Sequence, residues 1–395
     1  MRRHNAFTFP YTFFREPAGK VINDLQKIGF TGINLALNYH ASRDFLLRQG
    51  PALEYLSDGF HYYKPDFSKY PVEAIKPDAK DALVDNRMLD EVLTVASREG
   101  FEVNAWAVYM HNSAIGFAHP ESTVTNALGN RFLSELCPSG TRIGGYISGL
   151  TEDLASRGVT SIAIESLHFH GAHHGEHHER FFLEMGEVTA FLFSLCFCQW
   201  CITNFSGDGV ALKNRVAQLL QPFLDDADPW LATELTEENL ATIVGGEILD
   251  YLRSREKTVA RRYHEISLIT QKYQVTTRFV DQATLIPHSN DSPLDKSWQV
   301  GIDNFLVQEH VDFFEPLVYR KTPAEISQVA QNYRENLKKE VVAILRPTYP
   351  DNQSAESLVE KVAALKKAGV IDVDFYLLDA MRPRDLDWIK AAITS

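Results

Sequence analysis

Three of the four cysteines fall within six residues, Cys196-x-Cys198-x-x-Cys201, and the fourth, Cys137, stands alone before Pro138. Four thiolates complete the tetrahedral shell of a structural zinc site. A shell filled by protein sulfur leaves no position for water, so the Zn2+ expected here braces the fold rather than acting on a substrate. Reduced cysteines also serve as small buried hydrophobes, but that role does not require three of them side by side.

Carboxylates form the second group. Glu165 follows the apolar run Ile162-Ala163-Ile164, and Asp281 follows Phe279-Val280. An acid placed directly after buried residues must leave the core or find a partner. Two carboxyl groups flanking a glycosidic bond can cleave it. One protonates the leaving oxygen while the other attacks or stabilises the anomeric carbon, or activates water. Glu165 and Asp281 are therefore the expected catalytic pair. The competing reading of Glu165 is a salt bridge to Arg278 or Arg346. Glu315 is expected in a strand wall, and Asp379 among the substrate contacts.

Histidines crowd the stretch after Glu165: His168, His170, His173, His174, His177 and His178. The 173/177 and 174/178 pairs have the spacing that puts two imidazoles on one helical face. That spacing admits a metal, although the order of glutamates and histidines is not H-E-x-x-H. The stretch is read first as a loop over a pocket mouth, with His168 and His170 touching substrate. Tyr39 and His40 end one apolar run, and Trp106, His111 and Asn112 end another. Aromatic faces beside imidazole and amide donors suit the C–H faces and hydroxyl rim of a sugar. Arg346 is a candidate for holding a substrate carboxylate or sulfate. Neither a G-x-S-x-G elbow nor a phosphate-binding loop is present.

These residues sit at the ends of elements that the hydrophobic pattern separates. Strand-like runs at Phe7–Phe13, Gly32–Leu37, Val103–Met110, Ile162–Ile164, Thr276–Val280, Val311–Tyr319, Val341–Leu345 and Asp374–Leu378 alternate with helical stretches. The helical stretches include Ala18–Ile28, Asp85–Glu99, Thr141–Arg157, Phe181–Leu195, Gly209–Leu224 and Glu237–Tyr273. Eight strands alternating with helices predict an α/β fold, a (β/α)8 TIM barrel. A doubly wound sheet is the competitor, but no Gly-rich loop follows the first strand. Side chains at the C-terminal strand ends of a barrel gather at one mouth, which would bring the acids, histidines and aromatics together. No repeat or low-complexity linker interrupts the chain. One barrel domain over 1–395 is expected, with long insertions after strand 2 (39–84) and after strand 4 (198–245).

The 395 residues are 45% hydrophobic and 23% charged, as in a globular protein with an ample core. The net charge of −13, from 39 basic and 52 acidic residues, argues against nucleic acid and anionic membranes as partners. No apolar run approaches the roughly 18 residues of a membrane span, and the first 14 residues do not read as a signal peptide. A cytoplasmic location, with thiols kept reduced, is the expectation. Self-association is left open.

Cys137 together with Cys196-Phe-Cys198-Gln-Trp-Cys201 resembles the four-cysteine zinc cluster of the family forty-two beta-galactosidases, which are (β/α)8 glycoside hydrolases. The same cysteine run is similar to that of the hypothetical glycosyl hydrolase barrels. That similarity extends to Leu136-Cys-Pro-Ser139, Asn38-Tyr-His40, Trp106-Ala-Val-Tyr-Met-His-Asn-Ser113 and a glutamate ending a strand before a His-Gly-rich loop. It covers most of residues 38–209. The galactosidases carry Asn-Glu at the fourth strand where this chain has Ile164-Glu165, and no glutamate stands in the seventh-strand stretch 341–350. The resemblance implies a barrel, a structural zinc and action on a glycoside. The combined reading is a cytoplasmic glycosidase whose partner is a small-molecule carbohydrate. Its alternatives are a metal-dependent hydrolase built on the histidine loop and a sugar-binding barrel without turnover.

Overall fold

The computed structural model describes residues 3–48, 52–56, 59–77, 86–172, 180–286 and 292–395. Eight strands run parallel around a closed barrel: β1 (Asn5–Thr8), β2 (Gly32–Tyr39), β3 (Glu102–Val108), β4 (Ser161–Glu165), β5 (Thr276–Asp281), β6 (Phe313–Pro316), β7 (Glu340–Leu345) and β8 (Asp372–Phe375). Closure is direct, because Ala6 of β1 pairs with Phe375 of β8 while the same strand pairs with β2 from Asn5↔Gly32 to Thr8↔Leu35. Helices surround the barrel, as the alternation of apolar runs predicts.

Strand alternation decides what each residue does. On β4, Ile162 and Ile164 pack into the large core between barrel and helices, while Ala163 joins the smaller cluster inside the barrel with Trp106, Phe7, Val280 and Ile344. Glu165, two residues beyond Ala163, therefore faces inward. β5 keeps the same alternation in register: Val280 is inside, and Phe279, opposite Ile164, packs outward against Tyr263 and Phe314. Small residues at Ala36 and Ala163 leave the lumen to Trp106, whose ring meets Phe7 and Phe9 at 5.1 and 5.5 Å.

Below that apolar layer the barrel is closed by a hydrogen-bonded polar chain. The Arg278 guanidinium pairs with Glu315 and, at 2.8 Å, with Asp374, which also accepts from Asn34 at 2.8 Å. Asn104 donates to Asn34 at 2.8 Å, and the Ser161 hydroxyl donates to Asn104 at 2.6 Å. Burial pushes the Glu315 carboxyl up to about 7 against the pull of Arg278. Paired in this way, the buried charges are compensated. Glu315 lies in the barrel interior, as expected for a wall residue.

Both predicted insertions are present, and a third follows β3. After β2 comes an antiparallel hairpin, Ser42–Leu46 with Ala52–Leu56, and the segment Phe60–His61 pairs antiparallel with the end of β2. After β3, helix Ser113–Ala118 packs on a second hairpin, Thr123–Thr125 with Arg131–Leu136. The approach is so close that a Cβ on Gly116 would lie 1.7 Å from the Leu133 carbonyl oxygen. After β4 come helices Glu187–Ser194, Gln199–Asn204, Gly209–Asp225, Glu237–Val244 and Glu247–Tyr273.

Several boundaries differ from the sequence reading. The first strand stops at Thr8, since Pro10 ends it and helix Tyr11–Arg15 follows. The apolar run from Phe181 is helical only over Glu187–Ser194, and Phe182 is fully exposed. The last strand ends at Phe375, and Asp379 lies in the tight turn Leu378–Ala380. Among the described residues no helix is long and apolar enough to cross a membrane.

Candidate active site and metal centre

Glu165 ends β4 at the barrel mouth and is 9% exposed. The Trp106 indole N–H donates to its Oε2, and the Gln282 amide donates to Oε1 at 3.0 Å. Arg278 is engaged by Glu315 and Asp374, and Arg346 by Asp351 at 2.7 Å, so neither forms the salt bridge that the competing reading of Glu165 required. Burial raises the Glu165 carboxyl pKa, opposed by the nearby His40 and by the two hydrogen bonds. The next residue, Ser166, holds a left-handed backbone with φ +58°. Such a conformation costs a non-glycine residue about 1–2 kcal/mol, a strain that accumulates at functional strand ends.

The structure does not bring Asp281 to Glu165. In the β4–β5 register Phe279 stands opposite Ile164, which sets Val280 beside Glu165 and turns Asp281 to the helix side. There its carboxylate accepts from the Tyr333 hydroxyl at 2.6 Å and from the Ala283 N–H at 2.8 Å, fully buried. The sequence reading judged height along the strand and overlooked parity. Burial pushes the Asp281 carboxyl from its usual 3.8 up to about 6. A carboxyl with a raised folded pKa stabilises the protein most below its unfolded value, and that contribution is lost as pH rises through about 6. The loss is on the order of 3 kcal/mol. Asp281→Asn is accordingly expected to flatten stability against pH between about 4 and 6 while sparing turnover. Urea unfolding at pH 4.5 and 7 with parallel kinetics checks both, and a collapse of turnover in folded protein would return Asp281 to the site.

Asp379 is likewise structural in its contacts. It accepts from the Thr8 hydroxyl (2.9 Å), the Phe9 N–H (2.8 Å) and the Thr12 hydroxyl (2.8 Å). Its carbonyl receives the N–H groups of Leu47 and Arg48 at 2.9 and 3.1 Å, which fixes the base of the first hairpin. Asn112 caps helix Ser113–Ala118 by accepting from the Ile115 N–H at 2.9 Å. Arg346 lies 4.3 Å over the Tyr319 ring.

The aromatic and imidazole residues do converge. Tyr39 packs 4.7 Å from Trp106 and stacks on His40 at 4.2 Å, and His40 stacks on His111 at 4.6 Å. His111 lies 6.0 Å from His170, which is 4.4 Å from His168, both of these buried. Glu135 from the second hairpin stands 4.0 Å from His111 and 3.6 Å from His170. His173, His174, His177 and His178 lie outside the described residues.

Asp44, like Glu135, is not among the residues that the sequence pattern singles out. Asp44, half-buried on the first hairpin, accepts from the Ser42 hydroxyl at 2.5 Å. Burial raises the Tyr39 and Tyr376 hydroxyls, and the charges of both Glu165 and Asp44 push them in the same direction. The two tyrosine hydroxyls lie 3.4 Å apart, and Glu165 and Asp44 are both among the charges that raise them. The alternation in Ser42–Leu46, with Gly50-Pro51 before a second such run, was the available signal.

The cysteines gather as their spacing predicts. Cys137 Sγ lies 3.5, 3.7 and 3.6 Å from the sulfurs of Cys201, Cys196 and Cys198, and all four are buried and mutually within 4.8 Å. A disulfide would need about 2.05 Å. Tetrahedral ligation at a Zn–S distance of about 2.3 Å places sulfurs about 3.8 Å apart, so this cluster could hold a metal ion. The Thr125 N–H points at Cys196 Sγ at 3.4 Å, and the Ser139 hydroxyl lies 3.2 Å from Cys201 Sγ. Helix Glu247–Tyr273 braces the centre. Its Tyr251 hydroxyl donates to the Cys196 carbonyl, and its Arg262 donates to the carbonyls of Pro138 and Gly140 at 2.8 and 3.0 Å.

No protein-family model matches this chain, and no curated protein matches it. Solved structures do. Alpha-L-fucosidase isoenzyme 2 from Paenibacillus thiaminolyticus is similar with a TM-score of 0.56 at 11% identity, over 100% of this chain and 49% of that one. The beta-galactosidase from psychrophilic Marinomonas ef1 gives 0.58 at 9% identity, over 99% and 59%. The catalytic domain of the Paenibacillus polymyxa beta-amylase gives 0.55 at 10% identity, over 100% and 98%. This chain thus spans about half the length of the fucosidase and three-fifths of the galactosidase. At such identities the likeness is one of fold, a barrel shared with glycoside hydrolases.

Proposed function

We propose that this protein is a glycoside hydrolase acting on a small oligosaccharide or glycoside at the mouth of its barrel. The observation that carries the reading is Glu165: an inward-facing, nearly buried carboxyl that no described arginine or lysine pairs with, set among Trp106, Tyr39, His40 and Gln282. A carboxyl whose pKa is raised by burial is suited to donate a proton to a leaving oxygen. Asp44 takes the place expected for Asp281, as the carboxylate that stabilises the anomeric carbon or activates water. Its support is the shared action of Glu165 and Asp44 on the Tyr39–Tyr376 pair. Trp106 and Tyr39 form the buried aromatic wall beside Glu165, with His40 and His111 at the rim. Fold neighbours named as fucosidase, galactosidase and amylase fit this chemistry.

The four cysteines would hold a structural Zn2+ by the fit of sulfur spacing and donor set. The test is a screen of aryl glycosides and oligosaccharides with and without EDTA. Turnover that survives brief chelation supports the glycosidase. Turnover lost within seconds of chelation would favour a metal-dependent hydrolase built on the histidine loop, and saturable binding without turnover a sugar-binding barrel.

Trp106 offers a second check. Its N–H stabilises the ionised form of Glu165, so Trp106→Phe is expected to raise the Glu165 pKa further. The alkaline limb of kcat/KM, where a protonated acid is lost, should then move to higher pH. An unmoved limb in folded protein would show that Glu165 does not set it.

A further inference from the structure

Beside β4, helix Glu187–Ser194, helix Glu247–Tyr273 and the segment at Gln299–Val300 enclose a cavity of about 400 Å³. Its walls are mostly apolar, with Phe191, Leu195, Leu235, Ile286 and Val300 among them, and Arg255 enters it. Arg255 is 4% exposed. Its guanidinium lies 4.5 Å over the Phe169 ring and 5.9 Å from that of Phe191, and Nη2 donates to the Gln299 carbonyl at 3.4 Å. Nε and Nη1 have no hydrogen-bond partner among the described residues. A buried cationic donor without an acceptor is strongly unfavourable, which makes this a place where an acceptor is missing.

The neighbouring groups do not supply it. Tyr251, Cys201, Cys196 and Glu256 act on the Arg255 charge but make no hydrogen bond to its Nε or Nη1. At the cavity edge Glu187 accepts from the Leu235 N–H at 3.1 Å. Ser194 is engaged with Ala190 at 2.7 Å and Ala172 at 2.9 Å. We infer that this cavity binds a small organic carboxylate with an apolar body, its carboxylate on the Arg255 fork. The guanidinium matches a carboxylate in geometry. Arg255 is the arginine of the lining and Glu187 stands at its edge, so a monoanion is accommodated better than a phosphate dianion. The walls and volume suit an aliphatic or aromatic body. His170 borders the cavity, and the row His170–His111–His40 separates it from Tyr39 and Glu165. The site therefore adjoins the mouth without belonging to it, and it stands independently of the glycosidase reading.

The test titrates the purified full chain with 4-phenylbutyrate and with its neutral amide by calorimetry, with melting temperature as a second readout. The acid should bind saturably, and the amide about tenfold more weakly or worse. Arg255→Gln should weaken the acid by about tenfold or more while leaving the amide unchanged. Ala190→Phe, which fills the cavity and leaves Arg255 in place, should abolish binding and decides the matter if the Arg255 variant does not fold. Glu165→Gln should bind the acid as the wild type does. Equal affinity for acid and amide, unchanged binding in folded Arg255→Gln or in Ala190→Phe, or acid binding weaker than about 10 mM would overturn the inference, leaving a guanidinium that only water satisfies.

Discussion

Glu165→Gln is expected to lower turnover on a glycoside with a poor leaving group by about a hundredfold or more, since general acid catalysis contributes roughly that much or above. The substitution keeps shape and one acceptor, so the Trp106 indole retains a partner, and the Gln282 amide can turn to serve the new donor. No cation is left stranded, because no described arginine or lysine pairs with Glu165. Loss of stability should therefore be small, and circular dichroism with metal analysis separates chemistry from folding. Removing the ionisable group should also remove the alkaline limb that protonated Glu165 imposes. Near-normal turnover in the variant would make Glu165 a structural partner of Trp106.

With the proposed zinc bound, Cys198→Ser is expected to release it and to cost several kcal/mol of stability, on the order of 5–10 °C in melting temperature. The full worth of a structural zinc in small domains is greater, about 10–16 kcal/mol. The large barrel core is expected to limit the fall. The damage should spread along helix Glu247–Tyr273, which reaches the cysteine loops through Tyr251 and Arg262. Elemental analysis should find about one zinc per wild-type chain and none in the variant. Metal-free wild-type protein with unaltered melting would contradict the account.

The barrel was legible because its eight strands are apolar runs separated by amphipathic helices, a pattern set by burial on both faces. The cysteine centre was legible for a similar reason: spacing in sequence constrains spacing in space when three ligands fall within six residues. Tyr39, Trp106 and Glu165 meet because each faces inward at or near the end of its strand. Asp281 misled because a single residue of parity separates lumen from helix side, and the sequence offers parity only through its neighbours. Read with that rule, Val280 inside and Phe279 outside already exclude Asp281 from the mouth. Asp379 and Asn112 misled differently. Both end apolar runs, but the chain turns there, and short polar side chains at turns hydrogen-bond backbone and cap helices. Asp44 and Glu135 were hidden by the hairpins that carry them, whose short alternating runs lie inside long loops with no barrel strand beside them.

Leaving-group dependence tests the central claim most directly. kcat/KM for aryl glycosides of graded leaving-group pKa would be measured for the wild type and for Glu165→Gln. With a proton delivered by Glu165, the wild type should depend weakly on leaving group. The variant should depend steeply, approaching wild-type rates only for the most acidic phenols. The same slope in both proteins would contradict the assignment of Glu165 as the acid.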